Sequence, residues 1–410
     1  MDDLVQAAET FISKNLGAVL KSADFLQFGA DDVKAMLKLE SEQDSIDEDK
    51  YRSVVSWTKH DKDRRRKHFS DLFRLIQLEN LSNEFLNDVV HKEELVGSSV
   101  ECTNFIITAT LSRLLGAQVY KKIKGQSDEI LIIGGESCQR SVAKFNTKTI
   151  QWSNMPDTNI ARIYPSAVNY NQQILLMGGS NGRTYYNSVE MLDLNDENPK
   201  WDSNLPSMGE KRYGFASTLL NGLVYCAGGY NNDTGRLSSC ESYNLEERKW
   251  SSIRNMNKKR SLHALVSARG LLYALGGRDD DNNATNTAEC YDPRNGKWEY
   301  IPPMKTCRYG LTAVVLNNEI YAIGGYDGSN YLSNYLSSVE KYNLYAKTWI
   351  DVPSMNGTRY GGSACVVDGL IWVFGGRGAK TVVFYDPATN KWQVSTNMDR
   401  ERWFPCVLSI

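Results

Sequence analysis

The chain has 410 residues, 41% hydrophobic and 23% charged, with a formal net charge of -2, a profile that excludes disorder as its main state and leaves room for two or three cores built without disulfide or metal staples. No stretch approaches the roughly 18 consecutive apolar residues of a membrane span, and the acidic start Met1-Asp2-Asp3-Leu4 lacks the basic and apolar regions of a secretory signal. The expected compartment is the cytosol or nucleus, and eight scattered cysteines with no CxxC pair read as reduced, mostly buried thiols.

Composition changes near residue 125. All ten prolines fall between Pro156 and Pro405, and glycine doublets occur only in the later part. Residues 1–124 instead space their apolar side chains for amphipathic helices: Phe11, Ile12, Leu16 and Val19, then Val33, Met36 and Leu37, then Leu72, Phe73, Leu75 and Ile76. Asp47, followed by Glu48 and Asp49, and Ser82, followed by Glu84, are expected helix caps. Short polar connections favour antiparallel helix pairs. The polar stretch from Lys121 to Asp128 reads as a linker.

Residues 128–410 are a repeat. Glycine doublets stand at 134/135, 178/179, 228/229, 276/277, 324/325 and 375/376, and each is followed by a tryptophan: Trp152, Trp201, Trp250, Trp298, Trp349 and Trp392. The distance from a Trp to the next doublet is 26 or 27 residues in every case. A period near 50 with one doublet and one Trp per unit is the signature of a kelch-type β-propeller with four strands per blade. In one unit the strands are expected at 310–316, 319–324, 339–342 and 348–352. Asn221-Gly222, Arg269-Gly270, Asn317-Asn318 and Asp368-Gly369 supply two-residue hairpins between first and second strands. The doublets let backbones approach, and the Trp packs on a neighbouring blade. The first doublet has no first strand ahead of it, whereas residues 402–410 look like a spare one. Pairing the two closes a ring of six blades and removes its edges.

In antiparallel blades the second-to-third loops and the fourth-to-first loops share one face, and length variation concentrates in the former, as on a binding surface. The residue before each first strand is Arg in all six units: Arg162, Arg212, Arg260, Arg308, Arg359 and Arg402. Tyr213, Tyr309, Tyr360 and Trp403 follow four of these, and Tyr230 and Tyr326 follow doublets. One reading is a mouth lined by arginines and aromatics that binds an acidic peptide. The other is architectural: these arginines pair with the third-strand glutamates Glu190, Glu241, Glu289 and Glu340 and join strands.

Enzyme readings have less to use. His263 is the one histidine of the four in the repeat, too few for a copper site, and no CxxC or HExxH serves zinc. The loop from Arg278 to Asn283, with Asp279, Asp280 and Asp281, lacks the spacing of a calcium loop and reads as solvated. Neither part has the basic excess of a nucleic-acid binder, and Arg64-Arg65-Arg66-Lys67 reads as a solvated helix end. No catalytic residue, metal or cofactor is expected.

Residues 5–115 resemble the BACK domain: Val5-Gln6-Ala7-Ala8 to Phe11-Ile12, Phe25-Leu26, Trp57-Thr58-Lys59-His60-Asp61 followed by Arg64-Arg65-Arg66, and Leu72 to Leu86 with Leu78-Glu79-Asn80-Leu81-Ser82. A BACK domain directly ahead of six kelch units resembles the BTB-BACK-kelch family. The resemblance implies a propeller that captures a protein substrate, with the six arginines, Tyr230 and Tyr326 where family members line their substrate pocket. In that family a BTB domain dimerises and, with the helices after it, binds cullin-3 of a ubiquitin ligase. No BTB domain stands among these residues, which open at what resembles the end of the segment joining BTB to BACK. Substrate capture is therefore implied, and cullin recruitment by this chain alone is not. The alternative function is a scaffold that binds actin or another cytoskeletal partner through the same propeller.

Overall fold

The computed structural model describes residues 12, 15–38, most of 46–106, 128–329 and 335–410. Phe11, Glu84 and the linker before Asp128 lie outside the described residues. The chain divides into two compact units, Met1–Lys124 and Gly125–Ile410.

The first unit is helical. Helices span Leu16–Lys21, Ala30–Leu37, Ile46–His60 and Phe69–Phe73. Leu16, Val33, Met36, Leu37, Leu72, Phe73 and Ile76 enter one core around Tyr51, Val54 and Trp57. Asp47 sits inside the first turn of its helix with Glu48 and Asp49, where negative charge complements the helix dipole. Ser82 Oγ accepts from Phe85 N at 3.1 Å. The basic run is not wholly solvated: Arg65 donates to the carbonyls of Leu26 (2.9 Å) and Trp57 (3.0 Å), with its guanidinium 4.5 Å from the Trp57 ring centre. Trp57 Nε1 in turn donates to Phe28 O at 2.9 Å. The Trp and the Arg together staple the 26–28 segment to the long helix.

The second unit is a ring of six four-stranded antiparallel blades. In the fifth blade the strands are Thr312–Leu316, Glu319–Ile323, Val339–Asn343 and Thr348–Val352. Both residues of each first hairpin have positive φ, as at Asn221 (51°) and Gly222 (79°), which is the turn that Asn-Gly favours. Asn171-Gln172 makes the same turn in the second blade without a glycine (50° and 69°). The strand Cys406–Ser409 pairs with Ile130–Ile133, so the last residues complete the first blade. First strands touch in cyclic order around the axis, and the final strand touches both the sixth blade and the second.

The cores lie between blades rather than within them. Each strand alternates its side chains, so Leu131 and Ile133 pack toward the second blade while Ile130 and Ile132 pack toward the sixth. Six such clusters join the six neighbouring pairs. The Trp residues add a polar tie: Trp201, Trp250, Trp298, Trp349 and Trp392 each donate Nε1 to a carbonyl in the loop leaving the preceding blade, at 2.7–2.9 Å.

Candidate functional site

Each doublet ends a second strand with both glycines at positive φ. The crowding they relieve is against the next blade. A Cβ on Gly324 would fall 2.4 Å from Arg359 O, and one on Gly375 2.4 Å from Arg402 O. The second glycine then donates to that same arginine carbonyl, as Gly325 N does to Arg359 O at 2.7 Å.

This geometry turns the six arginines inward. Arg162, Arg212, Arg260 and Arg308 are 0% exposed, Arg402 1% and Arg359 4%. Arg308 Nη1 donates to Gly324 O and Ser338 O, both at 2.9 Å, and its Nη2 to Glu340 Oε1 at 2.9 Å. Arg212 and Arg260 repeat the pattern with Glu241 (2.7 Å) and Glu289 (3.0 Å), and Arg162 lies 3.5 Å from Glu190. Each of these glutamates except Glu190 also accepts two backbone N–H groups of the loop entering its blade. In the first and sixth blades Ala143 and Val382 stand where the others carry Glu. Arg402 there binds Gly134 O and Ser141 O, and Arg359 binds Thr358 O, Thr381 O and Thr381 Oγ1. The arginine-lined mouth is therefore corrected. A guanidinium has five donors in a rigid fork, and here they saturate the carbonyls and carboxylates at the strand ends, leaving nothing at the surface.

What faces the mouth comes from the residues around the arginines. Two positions after each Arg stand Tyr164, Gly214, Leu262, Gly310, Gly361 and Phe404, all with φ between 50° and 68°. Their backbones form a chain of hydrogen bonds from blade to blade: Gly214 N to Tyr164 O (3.0 Å), Leu262 N to Gly214 O (2.6 Å), Gly310 N to Leu262 O (2.7 Å), Gly361 N to Gly310 O (2.9 Å) and Phe404 N to Gly361 O (2.7 Å). Over the glycines lean bulky neighbours. A Cβ on Gly361 would meet the Phe404 ring at 2.5 Å, and one on Gly310 the Tyr360 ring at 2.5 Å. Below this collar the axial cavity holds about 290 Å³.

Above the collar the residue after each Arg pairs with the residue after each doublet, for example Tyr213 with Tyr230 and Tyr309 with Tyr326. The aromatic rings link into one arc. From Tyr230 it passes to Tyr213 (5.7 Å between centres), Tyr164 (5.6 Å), Phe404 (4.5 Å), Tyr360 (5.4 Å), Tyr309 (5.6 Å) and Tyr326 (5.3 Å). Tyr185 and Tyr335 join its flanks at 5.1 Å from Tyr213 and Tyr360. Burial raises the Tyr164 hydroxyl to about 12, and raises Tyr213, Tyr309 and Tyr360 as well. These hydroxyls stay protonated and can donate. Trp403 stands apart from the arc, over the Arg377 guanidinium at 4.6 Å, with its Nε1 on Glu401.

Of the sequence-predicted site residues, then, Tyr213, Tyr230, Tyr309, Tyr326 and Tyr360 come together. The six arginines do not reach the surface. Tyr164 and Phe404 were missed one position beyond the place searched. Arg278 and Arg377 were missed because the positions after doublets were searched for aromatics alone. Arg236 lies in a short hairpin of the third blade, Tyr230–Asn231 with Gly235–Arg236. Burial, and after it the charge of Arg278, lowers the Arg236 guanidinium from its ordinary value.

Comparison with known proteins adds lineage to this geometry. The family model of BTB And C-terminal Kelch (BACK) matches residues 1–91, the KLHDC2/KLHL20/DRC7 Kelch-repeats domain residues 214–403, and the Kelch motif residues 161–202. Kelch-like protein 2 of Homo sapiens is 31% identical over 192 residues, covering 44% of this chain and 32% of that protein. The chain belongs to the kelch-like family. Kelch-like protein 17 of Mus musculus is 29% identical over 162 residues, 37% of this kelch-like chain and 25% of that one. The matches thus span about a third or less of these curated relatives. The solved structure of YjhT aligns at a TM-score of 0.53 and 15% identity, over 61% of this chain and 88% of that one, and shares the fold. Among the described residues no helix is long and apolar enough to cross a membrane, and no group of three or more His, Cys, Asp or Glu could hold a metal ion.

Proposed function

We propose that this kelch-like chain is a non-catalytic substrate-recognition module of the kind that serves cullin-3 ubiquitin ligases, with residues 1–124 as its BACK-like part and residues 128–410 as the propeller that holds a protein or acidic-peptide partner. The observation that carries this reading is the aromatic arc at one mouth of the ring, from Tyr230 to Tyr326. Tyrosines supply wide contact area with little rotamer entropy to lose, and a rigid ring fixes them in place. The variable second-to-third loops rise beside them. Eight unpaired cysteines suit the reducing cytoplasm in which such ligases work.

Affinity purification of the full chain beside its Tyr213→Ala/Tyr360→Ala variant tests the reading. Partners retained by the wild type and lost by the variant, with cullin-3 among the wild-type proteins, are the expected result. The same partner set in both would overturn it. Cosedimentation with actin filaments that the variant loses would instead identify the cytoskeletal scaffold.

A further inference from the structure

We propose that Arg236 and Arg278, between the third and fourth blades, form a socket for an oxyanion-bearing side chain of the partner peptide, a carboxylate or a phosphate; this rests on the reading of the loop face as a protein-binding surface. The two arginines converge on one residue. Arg236 Nη2 donates to Asn282 Oδ1 at 2.7 Å and Arg278 Nε to Asn282 O at 3.1 Å. Arg236 Nε is held by Ser261 Oγ at 3.0 Å, and Arg236 is 9% exposed. Both line a cavity of about 220 Å³ with Tyr213, Tyr230, Ser261 and Leu262. The aromatic arc braces them, Arg278 over Tyr309 at 5.4 Å and Arg236 over Tyr230 at 6.0 Å.

The charge balance of this cavity is incomplete. Among the described residues neither arginine forms an ion pair, because the nearby carboxylates are held elsewhere: Asp279 by Lys258 at 3.3 Å and Asp280 by Lys259 at 3.1 Å. Arg236 Nη1 and both terminal nitrogens of Arg278 make no hydrogen bond among the described residues. Two like charges fixed beside one cavity repel, and an oxyanion between them relieves that repulsion while accepting the unused donors. The other arginines of this face lack such free forks. The six at the strand ends are spent on carbonyls and carboxylates, and Arg377 donates to the Tyr335 hydroxyl at 2.6 Å. The negative residue of the partner is thus read on the side of the mouth where Arg236 and Arg278 stand. The side carrying Tyr335, Tyr360 and Phe404 is left for an apolar neighbour.

The test uses the full chain as bait for a random dodecapeptide library displayed on phage, followed by fluorescence anisotropy of an enriched, labelled peptide. Enriched sequences are expected to share an Asp or Glu. Replacing that acid by Ala, or using the Arg278→Ala protein, is expected to weaken binding about tenfold or more. A phosphoserine in place of the acid distinguishes the two sources: tighter binding assigns the socket to a phosphate, weaker binding to a carboxylate. Arg278 is half-exposed, so its variant decides the matter even where Arg236→Ala fails to fold, and thermal melting verifies each protein. Peptides that bind both arginine variants unchanged, yet lose affinity for Tyr360→Ala, would overturn the socket and leave the protein-binding face standing. No enrichment at all, or binding indifferent to all three variants, would overturn both.

Discussion

A buried guanidinium is costly unless its partners are good, and the six arginines divide on that point. Arg308 bridges Gly324 O, Ser338 O and Glu340, whose carboxylate also takes the N–H groups of Lys305 (2.6 Å) and Thr306 (3.0 Å). Arg308→Ala strands that carboxylate in the interior and is expected to cost about 3–5 kcal/mol. Arg402 has carbonyl partners and no carboxylate, so Arg402→Ala is expected to cost nearer 1–3 kcal/mol, the penalty of unpaired carbonyls. Equal losses in chemical denaturation would contradict the bridging role of Glu340. His263 is the opposite case. It stands where the other blades carry Pro165, Phe215, Leu311, Gly362 and Pro405, and both of its ring nitrogens are buried without a partner. Burial first, then the charges of Arg260 and Arg212, lowers it from 6.5 to about 3. A histidine that cannot be protonated when folded binds more protons when unfolded. Its contribution is therefore full above pH 6.5 and is lost as the pH falls toward 3. His263→Leu is expected to leave stability at pH 7.5 unchanged or higher and to flatten its decline between pH 6.5 and 4, read by thermal melting across that range. An unchanged pH profile would show that His263 is not the group responsible.

At the scale of the blade, the Trp ties make neighbours unequal. Trp349 Nε1 donates to Pro302 O at 2.8 Å, whereas Trp152 Nε1 is buried without a partner. Both rings stack on a third-strand aromatic, at 5.1 Å from Tyr342 and 4.7 Å from Phe145. Trp349→Phe is thus expected to cost about 1 kcal/mol more than Trp152→Phe, and equal costs in urea would show that the indole matters for its bulk alone. These elements were legible in the sequence because every blade makes the same contact with the same residue: doublet against arginine carbonyl, Trp against the preceding loop, Asn-Gly in the first hairpin. Period and spacing record such contacts directly. The mouth was only half legible. Arginine as a residue type signals surface, so the burial of Arg308 and its equivalents was visible only through the alternative pairing with Glu340. Tyr164, Leu262 and Phe404 adopt positive φ at non-glycine positions, where no turn signal marks them. Arg236 and Arg278 meet through loops of different blades, 42 residues apart in a chain whose period is nearer 50.

The whole ring depends on one short strand. Cys406–Ser409 pairs with Ile130–Ile133, and Val407 enters the core between the sixth and first blades while Cys406 and Ile410 enter the one between the first and second. Without that strand, Ile130 to Ile133 present an unpaired, apolar edge, two of six inter-blade cores lose a wall, and the Arg402 bridge to Gly134 disappears. A chain lacking residues 402–410 is therefore expected to melt lower by roughly 10 °C or more, to bind hydrophobic dye, and to associate through the open edge. The peptide of residues 402–410, supplied separately, is expected to restore part of the melting temperature, because it returns both the ladder and the two core walls. Each prediction has a distinct failure. An unchanged melting point would mean that the ring does not need closure, whereas a drop that the peptide cannot reverse would mean that the first blade has collapsed rather than opened. Closure also governs the mouth, since Phe404 belongs to the same segment and its ring packs 4.5 Å from Tyr164 and 5.4 Å from Tyr360. Partner binding and ring stability should consequently fall together in the truncated chain and recover together with the peptide.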